Sequence, residues 1–173
     1  MRLTVQLGAD GPRLATSGSN TLWKEAIVKA RDVMTEHPQA VTPSDPLSHA
    51  AALMRDGDLG FVPVVEDRET RRLVGVITDR DIAIRHVAAA HDEDCAIKQH
   101  MTANPLITVA PDAPTSDVHS LMVEHQVRRV AVVDSDGHLL GVIAQADVAT
   151  KEGRDKETGQ IVERISESRD PLR

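Results

Sequence analysis

One motif occurs twice in this chain, and it constrains the fold more than any other feature. Residues 73–84 read LVGVITDRDIAI, and residues 139–149 read LLGVIAQADVA. In each copy an apolar run typical of a buried strand meets a polar corner and continues as a helix. Such a corner exposes backbone N–H groups at the positive end of a helix dipole, which favours anions. Because the corner is repeated, the sequence predicts a duplicated unit.

The sequence around the two corners repeats in the same order. Met34-Thr35 is matched by Met101-Thr102, and the prolines at 46 and 114 each open an amphipathic helical pattern. A short apolar strand, a turn and the corner follow each helix. The unit therefore reads β-α-β-β-α over about 55 residues, which is marginal for an independent domain. We predict an α/β (α+β) fold in which two such repeats pack face to face in pseudo-two-fold symmetry.

Composition shifts divide the chain further. We expect a helix to begin at Thr21 and a short strand near residues 3–7 within an otherwise flexible start. The predicted parts are a flexible N-terminal segment (residues 1–25), the first repeat (26–90), a linker (91–99), the second repeat (100–150) and a charged, exposed tail (151–173).

Charge and composition exclude several functions. The net charge is −7, which argues against a nucleic acid held by phosphate attraction. Trp23 and Phe61 are the only large aromatic residues, so no stacking platform for single strands is expected. We see no signal peptide and no apolar run of membrane-spanning length, and we expect a cytoplasmic protein with no membrane partner. No catalytic spacing of nucleophiles, carboxylates or phosphate-loop residues is present, so we expect no enzyme.

The repeated motifs resemble a pair of CBS domains, the arrangement called a Bateman module. The resemblance covers roughly residues 26–150, and with no other domain attached the chain is similar to stand-alone bacterial CBS proteins of hypoxic or stress responses. It rests on residues 33–35, 60–64 and 75–81 in the first copy, and on 101–102, 125–130 and 141–147 in the second.

The resemblance implies a regulatory sensor rather than a catalyst. CBS pairs hold adenine nucleotides such as AMP, ADP or ATP, or NAD(H)-like ligands, in clefts between the repeats, and they commonly form homodimers that regulate a client protein. In that family the motif aspartate binds the ribose hydroxyls and the motif threonine assists with phosphate. These roles fall on Asp81 and Thr78 here.

We expect the first cleft to be the competent one. If the family geometry holds, it combines residues of both repeats, with guanidinium groups for phosphate and aliphatic walls for adenine. The second cleft has Ala144 and Ala146 where the first has Thr78 and Arg80, and lacks a facing cation. The ligand-binding set predicted for the first cleft is Thr78, Arg80, Asp81, Thr102, Ile107, Val127, Arg128 and Arg129. The secondary cleft is predicted to contain Thr35, Leu59, Gly60, Phe61 and Asp147.

Four other interpretations remain open. Thr78 and Asp81 also fit a helix capping box, and Arg128-Arg129 also fits a solvated surface pair. His86, His91, Cys95 and His100 offer metal-ligand or redox chemistry around Cys95, but their spacing matches no compact zinc motif, and we predict no metal site. A stress-related interaction module that binds no nucleotide is the remaining alternative.

Overall fold

The computed structural model describes residues 4–7, 27–91 and 94–151, and every structural statement below refers to them. The elements alternate between strands and helices, as in the predicted repeats. Their order is β1 (Thr4–Leu7), α1 (Ala30–Val33), β2 (Thr35–Glu36), α2 (Leu47–Gly57), β3 (Phe61–Val65), β4 (Leu73–Thr78), α3 (Asp79–Asp81), β5 (Leu106–Val109), α4 (Thr115–His125), β6 (Arg129–Val133), β7 (Leu139–Ala144) and α5 (Gln145–Lys151). A π-helical turn (Ile82–Val87) continues α3, and a 3₁₀ turn (Ile97–Gln99) precedes β5.

The strands form two sheets. The larger has the order β1-β5-β6-β7-β2, with β1, β5 and β6 parallel and β7 antiparallel to both of its neighbours. The smaller is the antiparallel pair β3-β4, flanked by single bridges from Val41 to Val64 and from Val76 to Thr102. We call residues 41–87 the first unit and residues 106–151 the second unit. The mixed helix-and-strand fold with two tandem units confirms the predicted fold class.

The helices α2 and α4 begin and end in the same way. Each follows an extended proline, Pro46 or Pro114, whose fixed φ and missing N–H suit a helix start. Each ends at a left-handed residue, Asp58 or Gln126, whose N–H bonds to the carbonyl of Met54 or Met122. These caps turn the chain directly into β3 and β6, whose first residues lie at the junction of the units.

The segment that precedes each unit packs on the other unit. Ala30 and Val33 of α1 are buried with Val118, Leu121 and Ile143 of the second unit. Conversely, Ile97 is buried in the core of the first unit with residues of α2, β3 and β4. The same exchange occurs in the sheets, because β2 pairs with β7 while Thr102 pairs with β4.

Two glycines allow the exchanged segments to pack closely against the strands of the opposite unit. A Cβ on Gly75 would lie 2.8 Å from the Met101 sulfur, and one on Gly141 would lie 2.9 Å from the Thr35 carbonyl oxygen. The glycines that begin the repeated Gly-Val-Ile motifs are therefore packing requirements for the crossing segments.

Some local predictions need correction. The short strand is confirmed for Thr4–Leu7, where it pairs with β5. Of the helix expected from Thr21, residues 21–26 lie outside the described residues. Residues 27–29 are not helical, and α1 begins at Ala30, because Lys29 is extended and bridges to Pro114. The rest of the N-terminal segment and the charged tail after Lys151 lie outside the described residues. In the described part of the chain, no helix is long and apolar enough to cross a bilayer.

Candidate functional site at the junction of the two units

A cavity of about 380 Å³ lies where the β4–α3 corner of the first unit meets the second unit. This volume is within the range usual for small-molecule sites. All eight residues predicted for the first cleft line it. The lining residues are Gly60, Phe61, Val76, Thr78, Asp79, Arg80, Asp81, Thr102, Pro105, Leu106, Ile107, Gln126, Val127, Arg128 and Arg129. We call it the Asp81 cavity.

The corner itself is a helix capping box. The Thr78 hydroxyl donates to Asp81 Oδ2 at 2.8 Å and accepts from the Asp81 N–H at 3.1 Å, while Thr78 N–H donates to the same carboxylate oxygen at 3.0 Å. The capping interpretation of Thr78 and Asp81 is thus confirmed. It leaves Asp81 Oδ1 outside the box.

Arg85 forms an ion pair with that second oxygen. This residue was not among the predicted site residues. Its guanidinium lies 3.2 Å from Asp81 Oδ1, donates to the Thr102 hydroxyl at 3.2 Å and donates to the His100 carbonyl at 2.7 Å. The only signal available was the i, i+4 spacing from Asp81. Burial lowers the pKa of the His100 imidazole, and the nearby His86, His91 and Arg85 lower it further.

Three other guanidinium groups give the Asp81 cavity its charge. Arg80, Arg128 and Arg129 all line it, and none forms an ion pair with a carboxylate of the described residues. The two lining carboxylates are Asp79 and Asp81, so cations outnumber anions here although the whole chain carries −7. The local excess of positive charge suits an anionic ligand.

The start of β3 brings the two units close together at this cavity. A Cβ on Gly60 would lie 3.1 Å from the Asp79 carboxylate and 3.3 Å from the Arg129 guanidinium. Arg129 therefore extends from the second unit to the first. Apolar side chains from both units also line the cavity, including Phe61, Ile107 and Val127.

The secondary cleft around Asp147 stays a prediction. Gly60 and Phe61, which were expected opposite Asp147, line the Asp81 cavity, and Phe61 pairs with Thr78 across β3 and β4. Thr35 pairs with Val142 in the sheet, and Leu59 lies after the α2 cap with 37% of its surface exposed. Asp147 Oδ2 accepts from Ala144 N–H at 2.8 Å, which is half of the capping box at the first corner.

Comparison with known proteins agrees with this architecture. The chain belongs to the CBS domain family, which its sequence matches over residues 30–86 and 97–152. It is similar to hypoxic response protein 1 of Mycobacterium tuberculosis (strain ATCC 25618 / H37Rv), with 37% identity over 69% of this chain and 82% of that protein. The crystal structure of hypoxic response protein I with two coordinated zinc ions matches with a TM-score of 0.63 and 34% identity, over 70% of this chain and 97% of that one.

Two solved relatives contain adenosine compounds. The CBS domain pair of protein MJ0100, in complex with 5'-methylthioadenosine and S-adenosyl-L-methionine, has a TM-score of 0.64 and 27% identity, over 75% of this chain and 98% of that one. The structure of CBSX2 in complex with AMP has a TM-score of 0.63 and 27% identity, over 74% of this chain and 98% of that one. CBS pairs similar to this chain therefore include adenosine-ligand binders.

Proposed function

We propose that this protein is a non-catalytic sensor that binds an adenine nucleotide in the Asp81 cavity. AMP, ADP, ATP and NAD(H)-like ligands all fit this proposal. The observation that carries it is that Arg80, Arg128 and Arg129 line one cavity together with apolar side chains of both units. Phosphate needs the guanidinium groups, and a planar base needs the apolar wall. The adenosine compounds in the two solved relatives support the same ligand class.

The proposed roles follow from the chemistry of each side chain. Asp81 accepts hydrogen bonds from the ribose hydroxyls, in exchange for part of its contact with Arg85. Arg128 and Arg129 donate to phosphate, with Arg80 and the Thr78 and Thr102 hydroxyls beside them. Ile107 and Val127 contact the base. Charged hydrogen bonds contribute about 1.5–3 kcal/mol each, so two or three of them, with burial of the base, account for micromolar affinity.

A ligand in this cavity has a means of signalling. Its ribose contacts belong to the first unit and most of its phosphate contacts to the second, so it stabilises one relative packing of the units. The size of the response is limited by the difference between its affinities for the two packings. In this proposal, a client protein binds one packing of the units in preference to the other.

We also propose that the protein acts as a homodimer. Ile84 and Val87 on the π-helical turn are 51% and 67% exposed, and large exposed apolar side chains grouped on one turn favour association. Helix α5 is the equivalent element of the second unit, and it would supply the other part of the face.

The proposal is tested with a matched pair of variants. AMP, ATP and NADH are titrated calorimetrically into the unmodified protein and into the Asp81→Ala and Asp147→Ala variants. Both variants lose a carboxylate that accepts a backbone N–H at a helix start, at 3.0 Å and 2.8 Å respectively. We expect only Asp81→Ala to lose affinity, by about 30-fold, which corresponds to about 2 kcal/mol.

Three results would overturn the proposal. If Asp81→Ala binds as well as the unmodified protein, or if both variants weaken equally, the site is not at Asp81. If no nucleotide binds or raises the melting temperature of the unmodified protein, the sensor function itself fails and the interaction-module alternative is favoured.

A further inference from the structure

A second group of side chains with binding chemistry lies away from the walls of the Asp81 cavity. His86, His91, Cys95 and His100 each offer one ligand atom, and these atoms lie within 4.8 Å of one another. The ring centres of the three histidines are 5.2–5.6 Å apart in each pair, and Cys95 Sγ lies 3.6 Å from His91 Nδ1. We call these four residues the histidine–cysteine cluster.

The backbone brings the cluster together. His86 lies in the π-helical turn, and the chain reverses at Ala90, whose φ is +54°, so that His91 N–H bonds to the His86 carbonyl at 3.2 Å. His100 directly follows the 3₁₀ turn, and its N–H bonds to Ile97. The cysteine is held between them, because Leu47 N–H bonds to the Cys95 carbonyl at 2.8 Å and the neighbouring Asp94 carboxylate bonds to Ser48. Linear spacing does not reveal this arrangement.

Two ring nitrogens of the cluster are buried and have no hydrogen-bond partner in the described part of the chain. His100 is only 3% exposed, and its Nε2 forms no hydrogen bond within the described part of the chain. His86 Nδ1 is also buried and unpaired there. Buried polar atoms in native proteins nearly always have a partner, and here two rings whose centres are 5.2 Å apart each have a buried nitrogen without one in the described residues. An ion among the four side chains would supply it.

We propose that His86, His91, Cys95 and His100 bind one Zn²⁺ ion in tetrahedral geometry. Three imidazole nitrogens and one thiolate are donors that zinc prefers. Bond lengths of about 2.0–2.1 Å to nitrogen and 2.3 Å to sulfur place the ligand atoms of such a site about 3.3–3.6 Å apart. The pair formed by Cys95 and His91 already has this separation, and all four ligand atoms lie within 4.8 Å of one another. On binding, the Cys95 thiol releases its proton to solvent and the three imidazoles bind as neutral groups.

The metal would cross-link the two ends of the segment that joins the units, from His86 to His100. It would link the end of the π-helical turn to the residue before Met101, which packs against Gly75. A metal that binds the folded state alone raises stability in proportion to its affinity and concentration. The site requires no residue of the Asp81 cavity, so it stands or falls separately from the proposed nucleotide binding.

The test uses the full chain, kept reduced and stripped of metal with a chelator. Titration with Co²⁺ should give one tetrahedral Co²⁺ per chain, with a thiolate-to-metal absorption band that Zn²⁺ then removes. Cys95→Ser should lose the thiolate band, and His91→Gln should weaken binding at least about tenfold. His91 is exposed, so its variant keeps the fold.

The control is His138→Gln. His138 belongs to the other group of candidate ligands in the described residues, with Asp134 and Asp136. Its replacement should leave the thiolate-to-metal band and the stoichiometry unchanged. The proposal is overturned if the unmodified protein gives no thiolate band, if Cys95→Ser and His91→Gln bind as the unmodified protein does, or if His138→Gln abolishes binding.

Discussion

The Arg85 guanidinium lies 3.2 Å from the Asp81 carboxylate, four residues earlier in the chain. Arg85 also donates to the His100 carbonyl and the Thr102 hydroxyl, which lie beyond the first unit. A single side chain therefore joins the corner of the first unit to the segment that leads into the second. It holds Asp81 in place beside the cavity.

Replacement of Arg85 by alanine should lower the free energy of unfolding by about 1 kcal/mol. Most of this loss comes from the hydrogen bond to His100, because the ion pair with Asp81 is partly open to solvent. Urea denaturation of the variant measures the change. Arg55→Ala is the matched control. Among the residues that the structure describes, Arg55 pairs only with its neighbour Asp56 on an exposed surface, so its replacement should have no measurable effect. An equal loss in both variants would contradict the bridging role of Arg85.

The glycines at the crossing segments should not tolerate a methyl group. Gly75→Ala and Gly141→Ala should each lower the free energy of unfolding by about 1–3 kcal/mol through overpacking. Gly141→Ala should have the larger effect, because its methyl would lie 2.9 Å from the Thr35 backbone oxygen, whereas the methyl at Gly75 would lie 3.2 Å from the Thr102 backbone oxygen. Thermal or urea unfolding measures both.

Gly57→Ala serves as the control for these two variants. Its methyl would meet only the end of the Leu59 side chain, at 3.0 Å, and helix propensity favours alanine by about 1 kcal/mol. We expect no loss of stability. If Gly75→Ala and Gly141→Ala behave like Gly57→Ala, the close approach of the crossing segments is not a constraint.

Asp45 should contribute to acid sensitivity. Burial raises the pKa of its carboxyl, but hydrogen bonds from Thr42 and Arg68 outweigh burial, and the pKa lies below its ordinary value of 3.8. His49, at 3.8 Å, is the other ionisable group beside it. Because the folded-state pKa is depressed, the contribution is present above the unfolded-state pKa and is lost as pH falls through the folded-state value.

Asp45→Asn should therefore be less stable than the unmodified protein at pH 7 and should lose less stability when the pH is lowered below about 4. Urea unfolding at a series of pH values gives both curves. Parallel curves for the two proteins would show that Asp45 is not responsible.

The proposed dimer face predicts a specific dissociation. Ile84→Glu should shift the protein toward monomer, because a charge would be buried against the partner copy. Light scattering after size exclusion measures the mass. Ile27→Glu is the control, since Ile27 is 72% exposed but lies before α1, away from the π-helical turn. A monomeric unmodified protein, or equal effects of both substitutions, would argue against this face.

The repeated motif was sufficient to predict the order of strands and helices, since apolar runs, prolines and polar corners act locally. The resemblance to a CBS pair, rather than the motif alone, led to the prediction that Asp81, Arg128 and Arg129 line a common cavity. The position of Phe61 was missed because it depends on the pairing of β3 with β4 in the same unit. The contacts of Arg85 were missed because they require a π-helical turn, which has no clear signal in sequence.

The packing of each preceding segment on the opposite unit could not be predicted from local sequence pattern. Nothing in Met34 or Met101 indicates that each lies against a glycine of the opposite unit, because that contact joins residues far apart in the chain. The sequence showed that these positions were equivalent without showing which unit they pack against.

This reciprocal exchange determines how the protein can be divided. A cut between residues 91 and 94 would leave β2 and α1 on one fragment and the strand and core that they complete on the other. Neither fragment would retain a whole hydrophobic interior, so the two halves should fold and melt together as one cooperative body.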